Sequence, residues 1–387
     1  MSEYDNIRPF HDHEVPDVVA RLVDNPELPK AAARLVLPEA LHDTSLGEWI
    51  THIVLRHKTR NLASIYDCQM LLKSYFSRLV ESTTASVTVS GLEDLSHDGC
   101  YLFISNHRDI VMDSSLLNYL LDQAGHTTCR MAVGDNLLSN ELAADLMRLN
   151  KSFVVERGIS GARAVLKSLS RTSSYIRDSL EEGVSIWIAQ REGRAKDGWD
   201  RTDPALIKML ALAHKDTEPS LSMLLARCVV VPVAVSYELD PCALRKAHEL
   251  YVTARDGRYL KAPTEDVDSI VQGMTGYKGR VHMHFGRRFT GDFDDPDDLA
   301  LALDAQIMAG MRVYPTHQHA ARMLGDAALE RAEVPPLDAV QAQFEADIEN
   351  CPEQEREYLL LQYANVIRNR AALGVGAQAQ TLTAAVS

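Results

Sequence analysis

One stretch of the sequence concentrates groups able to move a proton. Residues 101–117 read YLFISNHRDIVMDSSLL, so an apolar run stops abruptly at Asn106-His107-Arg108-Asp109, with Asp113 close behind. Crowding a His, an Arg and two Asp at the end of a buried strand is costly unless the groups pair with one another. Where a strand opens into a helix N-terminus, α/β proteins place their chemistry. A carboxylate on one ring nitrogen of a His fixes its tautomer and stabilises the imidazolium, which makes the other nitrogen a general base. His107 is the candidate base. Asp113 is the first candidate for its orienting carboxylate and Asp109 the rival, being nearer in sequence. A purely local helix cap is the bland alternative.

Two further groups of charges close apolar runs. SFVVERG ends in Glu156-Arg157, and VSIWIA runs into Gln190-Arg191-Glu192-Gly193-Arg194-Ala195-Lys196. The C-terminal strand ends of a parallel sheet share one edge, so these loops are expected to meet His107 there. Arg157, Arg194 and Lys196 supply cations for a phosphate or carboxylate, which the arginine fork can grip with two bonds. Gly193 lets the backbone approach a ligand closely, Glu192 orients a cation or meets a substrate hydroxyl, and Arg108 assists. Taken singly, Arg157 reads equally as a surface arginine and residues 191–198 as an exposed turn.

In their order these blocks resemble the glycerophospholipid acyltransferase family. That family carries a His and an Asp with four residues between them, where His107 and Asp113 have five. SFVVER, with Phe153 and Arg157, resembles its second block. EGRAK, with Glu192, Gly193 and Arg194, resembles a third block that has one more residue before its Arg, and VVVPVAVSYE resembles the fourth through Pro232 and Tyr237-Glu238. The resemblance spans residues 101–238 and leaves the flanks uncovered. It implies transfer of a fatty acyl group from acyl-CoA or acyl-carrier protein, as co-substrate without a further cofactor, to a lipid-precursor hydroxyl. His107 and Asp113 would be catalytic. Arg108, Arg157, Glu192, Gly193, Arg194 and Lys196 would bind substrate. 1-Acylglycerol-3-phosphate is the first acceptor, with glycerol-3-phosphate or an acylated amino-acid lipid as alternatives, and a non-catalytic lipid- or carrier-binding protein is the reading from another class. No G-x-S-x-G elbow occurs, which favours direct transfer over a covalent acyl-enzyme.

The composition is compatible with this. A chain of 387 residues with 46% hydrophobic and 24% charged content can bury a large core. A formal net charge of −14 excludes a nucleic-acid binder governed by bulk charge. The six cysteines form no C-x-x-C pair and are expected as free thiols in a reducing compartment. His282 and His284 have half of a metal-site spacing, but the polar face of a half-exposed strand explains them, and no metal is expected. The start, MSEYDNIRPFHDHEVPD, is acidic and polar, and no run of about 18 apolar residues appears. A cytoplasmic protein, peripheral to the inner face of the membrane, is therefore expected.

The elements that must position these residues follow from periodicity. Residues 1–84 read as amphipathic helices, with Pro16 near one start and Ser45 to Glu48 in the form of a capping box. Their surface is the expected membrane contact. From residue 85 apolar strands alternate with helices, so an α/β domain with a mostly parallel sheet sandwiched by helices is expected over 85–291. Pro232 suggests an edge or irregular strand. Helices return over 292–372, and 373–387 reads as a flexible tail.

Overall fold

The computed structural model describes residues 3–135, 141–215, 219–262, 264–327 and 333–375. The chain divides into two units. The smaller combines residues 1–77 with 130–171, and the larger combines 78–129 with 172–387. Residues 130–171 thus group with the N-terminal helices, whereas the sequence placed them inside a catalytic domain that began at 85.

The smaller unit contains helices α1 (Val15–Asp24), α2 (Glu27–Val36), α3 (Ser45–Thr59) and most of α4 (Ile65–Thr83). It also holds strands β3 (Arg130–Gly134) and β4 (Ser152–Val155), which pair in parallel, with α6 (Glu141–Leu149) between them. Val15, Val18, Val19, Leu22 and Val23 of α1 meet Ile65 and Cys68 of α4 and Leu149 of α6, so one apolar stripe of α1 makes this core. The α3 cap differs from expectation. Thr44 is extended and its Oγ1 accepts from Gly47 N at 3.0 Å, which leaves Ser45 as the first helical residue.

The larger unit is built on five strands in the order β1 (Ser86–Ser90), β7 (Arg280–Phe285), β6 (Val230–Tyr237), β2 (Leu102–Ser105), β5 (Ile186–Ala189). β2 runs parallel to both β5 and β6, and only β6–β7 is antiparallel. This is the expected α/β class with a mostly parallel sheet. β2 is buried along its whole length, as its unbroken apolar run requires. Its Phe103 meets Phe285 of β7 edge-on at 5.6 Å.

Pro232 lies in the interior of the sheet, contrary to expectation: β6 sits between β7 and β2. The strand tolerates it because the β6–β7 ladder starts only at Val233. On the β7 side, Pro232 needs just its carbonyl, which accepts from Gly286 N at 2.8 Å.

Around the sheet lie α5 (Met112–Gln123), α7 (Ala162–Glu181, begun in the smaller unit), α8 (Pro204–Ala211), α9 (Leu221–Arg227), α10 (Ala243–Asp256) and α11 (Glu265–Thr275). The C-terminal helices are α12 (Pro296–Gly310), α13 (Pro315–Met323), α14 (Gln341–Asn350) and α15 (Arg356–Ala372). Leu359, Leu360, Tyr363 and Ala364 of α15 are buried together with Ala243 and Ala247 of α10 and with Ala320 and Ala321 of α13. Helix α15 is therefore part of the core. The tail from residue 376 lies outside the described residues.

His282 is buried rather than half-exposed. Its Nδ1 meets Thr88 Oγ1 at 2.8 Å and its Nε2 meets Ser90 Oγ at 3.1 Å, while His284 Nδ1 shares the same Ser90 hydroxyl at 2.8 Å. Hydroxyls of the paired strand β1 satisfy both rings. Among the described residues no cluster of His, Cys, Asp and Glu could hold a metal ion.

Candidate active site

The loop after β2 is built around one carboxylate. Asp113, in the first turn of α5, is buried, and its Oδ2 takes His107 Nδ1 at 2.8 Å. The same oxygen accepts the backbone N–H groups of Arg108 at 2.6 Å and Asp109 at 3.0 Å. Oδ1 accepts from the Tyr237 hydroxyl at 2.8 Å, contributed by the far end of β6. Burial works to raise the Asp113 carboxyl, but the His107 ring and the two N–H donors outweigh it and hold it below the ordinary carboxylate range.

Asp109 has a different task. Its Oδ1 accepts from Val111 N at 3.0 Å and Met112 N at 2.9 Å, capping the start of α5. Burial first, and the nearby Asp113 second, push its carboxyl upward. The extra residue between His107 and Asp113 is thus absorbed by a capping turn, and Asp113 still reaches the ring. Of the two candidate orienters, Asp113 is the one in contact with His107.

The backbone under His107 is pinned from both neighbouring strands. Asn106 bonds β6 like a strand residue, donating Nδ2 to Val235 O at 3.0 Å and accepting Val235 N on Oδ1 at 2.8 Å. Trp187 on β5 donates Nε1 to Ser105 Oγ at 2.9 Å, and its ring meets the His107 ring edge-on at 5.9 Å. His107 O accepts from Ala195 N at 2.9 Å, tying the loop to the one after β5.

That second loop carries four of the expected ligands. Gly193 is exposed with φ +73°, and a side chain there would meet nothing within 4 Å, so its backbone is open to a ligand. Glu192 beside it is exposed too. Arg194 is half-buried, and its Nη1 is buried with no hydrogen-bond partner among the described residues. A buried guanidinium nitrogen without a partner is a ready anion ligand. Lys196 is instead committed to Glu249 of α10, and burial pushes its ammonium downward.

Arg108 is placed otherwise. The Arg108 guanidinium points inward, with Nη2 on the Asp200 carboxylate and on Gly198 O at 3.2 Å. Arg157 belongs to the smaller unit, where its backbone N–H donates to Asp135 Oδ2 at 2.9 Å.

Sequence reasoning missed the residues that hold this loop. Lys246 of α10 is buried and donates Nζ to Arg108 O at 2.7 Å while pairing with Asp240. Asp200 was passed over inside a polar turn, and Tyr237 was noted without a role. The one available signal was a lysine between Ala243 and Ala247 on the inner side of α10, where a charge has to find a partner. Asp200 and Tyr237 offered no such spacing.

With Nδ1 taken by a carboxylate, Nε2 of His107 can remove a proton from a bound hydroxyl, next to an arginine suited to an anion. No curated protein matches the chain. A solved structure, the 1-acyl-sn-glycerophosphate (LPA) acyltransferase PlsC from Thermotoga maritima, aligns with a TM-score of 0.36 and 14% identity, covering 76% of this chain and 96% of that one. The family model described as Acyltransferase matches residues 86–236, from the first residue of β1 to the next-to-last residue of β6, with His107, Asp113 and Arg194 inside the match. Over residues 86–236 the chain is thus similar to the acyltransferase family, and the site lies within that match.

Proposed function

We propose that the enzyme moves a fatty acyl group from a thioester, acyl-CoA or acyl-carrier protein, to the free hydroxyl of 1-acylglycerol-3-phosphate. The observation that carries this reading is the pairing of a dyad and an anion ligand: His107 oriented by Asp113, and Arg194 with a buried, unpartnered nitrogen on the adjoining loop. His107 Nε2 takes the acceptor's hydroxyl proton as that oxygen attacks the thioester carbonyl. The C–S bond then breaks, and the thiolate leaves with the proton returned by the imidazolium, giving an ester and a free thiol. Arg194, with the open backbone at Gly193, holds the acceptor's phosphate and so places its hydroxyl against the base. Glu192, exposed beside Gly193, completes the set assigned to substrate.

The substrates are lipids, and we place the enzyme at the cytoplasmic face of a membrane. No helix among the described residues is long and apolar enough to cross one. Helix α3 supports surface contact: Leu46, Trp49 and Ile53 are exposed at positions i, i+3 and i+7, and Trp49 is 61% exposed. Arg56, Lys58 and Arg60 follow, also exposed.

The test is thiol release from acyl-CoA and acyl-carrier protein over a panel of acceptors. Release that depends on 1-acylglycerol-3-phosphate and disappears in His107→Ala supports the reading. Acceptor-independent rates, or equal rates in that variant, refute it.

A further inference from the structure

We propose that Arg108 and Asp200 are positioning residues: a buried ion pair that holds the loop of the base, with Arg108 serving His107 rather than the acceptor. The inference rests on the acyl-transfer reading for what His107 does. How His107 is held stands on the geometry alone.

Arg108 is gripped at three points. Its N–H is spent on Asp113 Oδ2 at 2.6 Å, its carbonyl accepts Lys246 Nζ at 2.7 Å, and its guanidinium sits on Asp200 and Gly198 O. Asp200 is 1% exposed. Burial pushes its carboxyl upward, against the pull of Arg108. The cavity that Arg108 lines, with Tyr237, Asp240 and His317, measures about 30 Å³.

The Asp200 side of the pair is itself fixed. Asn369 Nδ2 of α15 donates to Asp200 O at 2.7 Å, and Asn365 Nδ2 donates to Asp197 O at 2.8 Å. Gly198 has φ +73° and lies so close to α15 that a Cβ would stand 2.1 Å from Gln362 O. Support therefore runs from the C-terminal helix through the 197–200 loop and the Arg108–Asp200 pair to the backbone just after His107. Ala195 N on His107 O closes the same connection from the loop's other end. Removing one partner of such a pair leaves a buried charge without compensation, whereas removing both does not.

The experiment compares Arg108→Met, Asp200→Asn and the double variant with the wild-type enzyme. It measures kcat and acceptor KM, together with the 15N-edited NMR signal of the His107 Nδ1 proton on Asp113. We expect each single variant to lose about 10- to 100-fold in kcat, the scale of a small misplacement of a catalytic group, with acceptor KM within about twofold. The double variant should lose no more than the weaker single variant, because one connection is broken only once. The Nδ1 proton should move upfield or broaden in all three. If a single variant does not fold, the double variant, free of an unpaired charge, carries the test. A tenfold rise in acceptor KM with kcat retained in Arg108→Met would make Arg108 an acceptor ligand and overturn the inference. So would an unchanged Nδ1 signal with unchanged kcat. If the wild-type enzyme transfers no acyl group, the proposed function fails while the NMR signal still decides the role of Arg108.

Discussion

The Tyr237 hydroxyl reaches Oδ1 of Asp113 at 2.8 Å from 124 positions further along the chain, while His107 holds Oδ2. Both oxygens of one buried carboxylate are thereby committed, and burial together with Asp113 raises the Tyr237 phenol well above its usual range, so it stays a donor. Tyr237→Phe removes a hydrogen bond to a charged group, worth about 1.5–3 kcal/mol. Without it the Asp113 carboxylate is more basic and stabilises the His107 imidazolium more strongly. The acid limb of the kcat/KM profile should move up, by about half a unit to one unit. Rates measured from pH 5 to 9 check this, and a profile that stays in place would remove Tyr237 from the dyad.

The two aspartates of the loop should separate cleanly. Asp113→Asn, like His107→Ala, should cost about 10²- to 10⁴-fold in kcat/KM, the range of general-base catalysis. Asp109→Asn keeps an acceptor oxygen for the Val111 and Met112 amides and relieves repulsion from Asp113, so its activity and Tm should stay near wild type. Asp109→Ala loses the cap and about 0.5–2 kcal/mol of stability. Activity assays paired with thermal unfolding distinguish the four variants.

Arg194 and Lys196 differ in how far they are already engaged. Arg194→Ala should raise acceptor KM more than Lys196→Ala, because Lys196 is neutralised by Glu249 and Arg194 Nη1 has no partner among the described residues. Steady-state kinetics in varied acceptor test the order. A larger effect at Lys196 would reassign the phosphate ligand.

Acid should destabilise the fold through three buried imidazoles. Burial pushes His282 and His317 down to about 3 and His214 down to about 4, from 6.5. Their folded pKa values are depressed, so below pH 6.5 the unfolded chain binds more protons than the native one. Stability should therefore fall as pH drops from 6.5 toward 4, by about 1.4 kcal/mol per pH unit for each group. His282→Gln should flatten this slope by one group's share in urea titrations. An unchanged slope would mean that His282 is charged in the native state.

Surface contact by α3 is testable in isolation from the chemistry. Trp49→Glu with Ile53→Glu places two charges on its exposed apolar stripe. The variant should sediment less with anionic liposomes while it retains turnover on a short-chain, water-soluble acceptor. Equal sedimentation would direct attention to another surface.

Much of this site was legible because its parts follow from local rules. The apolar run before Asn106 must be a buried strand, and a histidine with an aspartate beyond it at the helix start is a local pattern. Arg108 shows where locality ends. The sequence presents an arginine beside the base among other cations, and nothing in its spacing says whether the guanidinium faces a ligand or the protein. Pro232 is a second case, because its tolerance depends on where a ladder formed with residues some fifty positions away begins.

The order of apolar runs and charged turns, by itself, determined the α/β class and put His107 just past a buried strand, since strand burial and helix capping are decided within a few residues. Only the tertiary structure decided which aspartate serves His107, that Tyr237 completes it, and that Arg108 turns onto Asp200. It also decided that α15, far along the chain, carries Asn365 and Asn369 to the loop behind the base. These are choices among partners distant in sequence. They are settled by which buried charges can find compensation once the sheet and helices have closed around them.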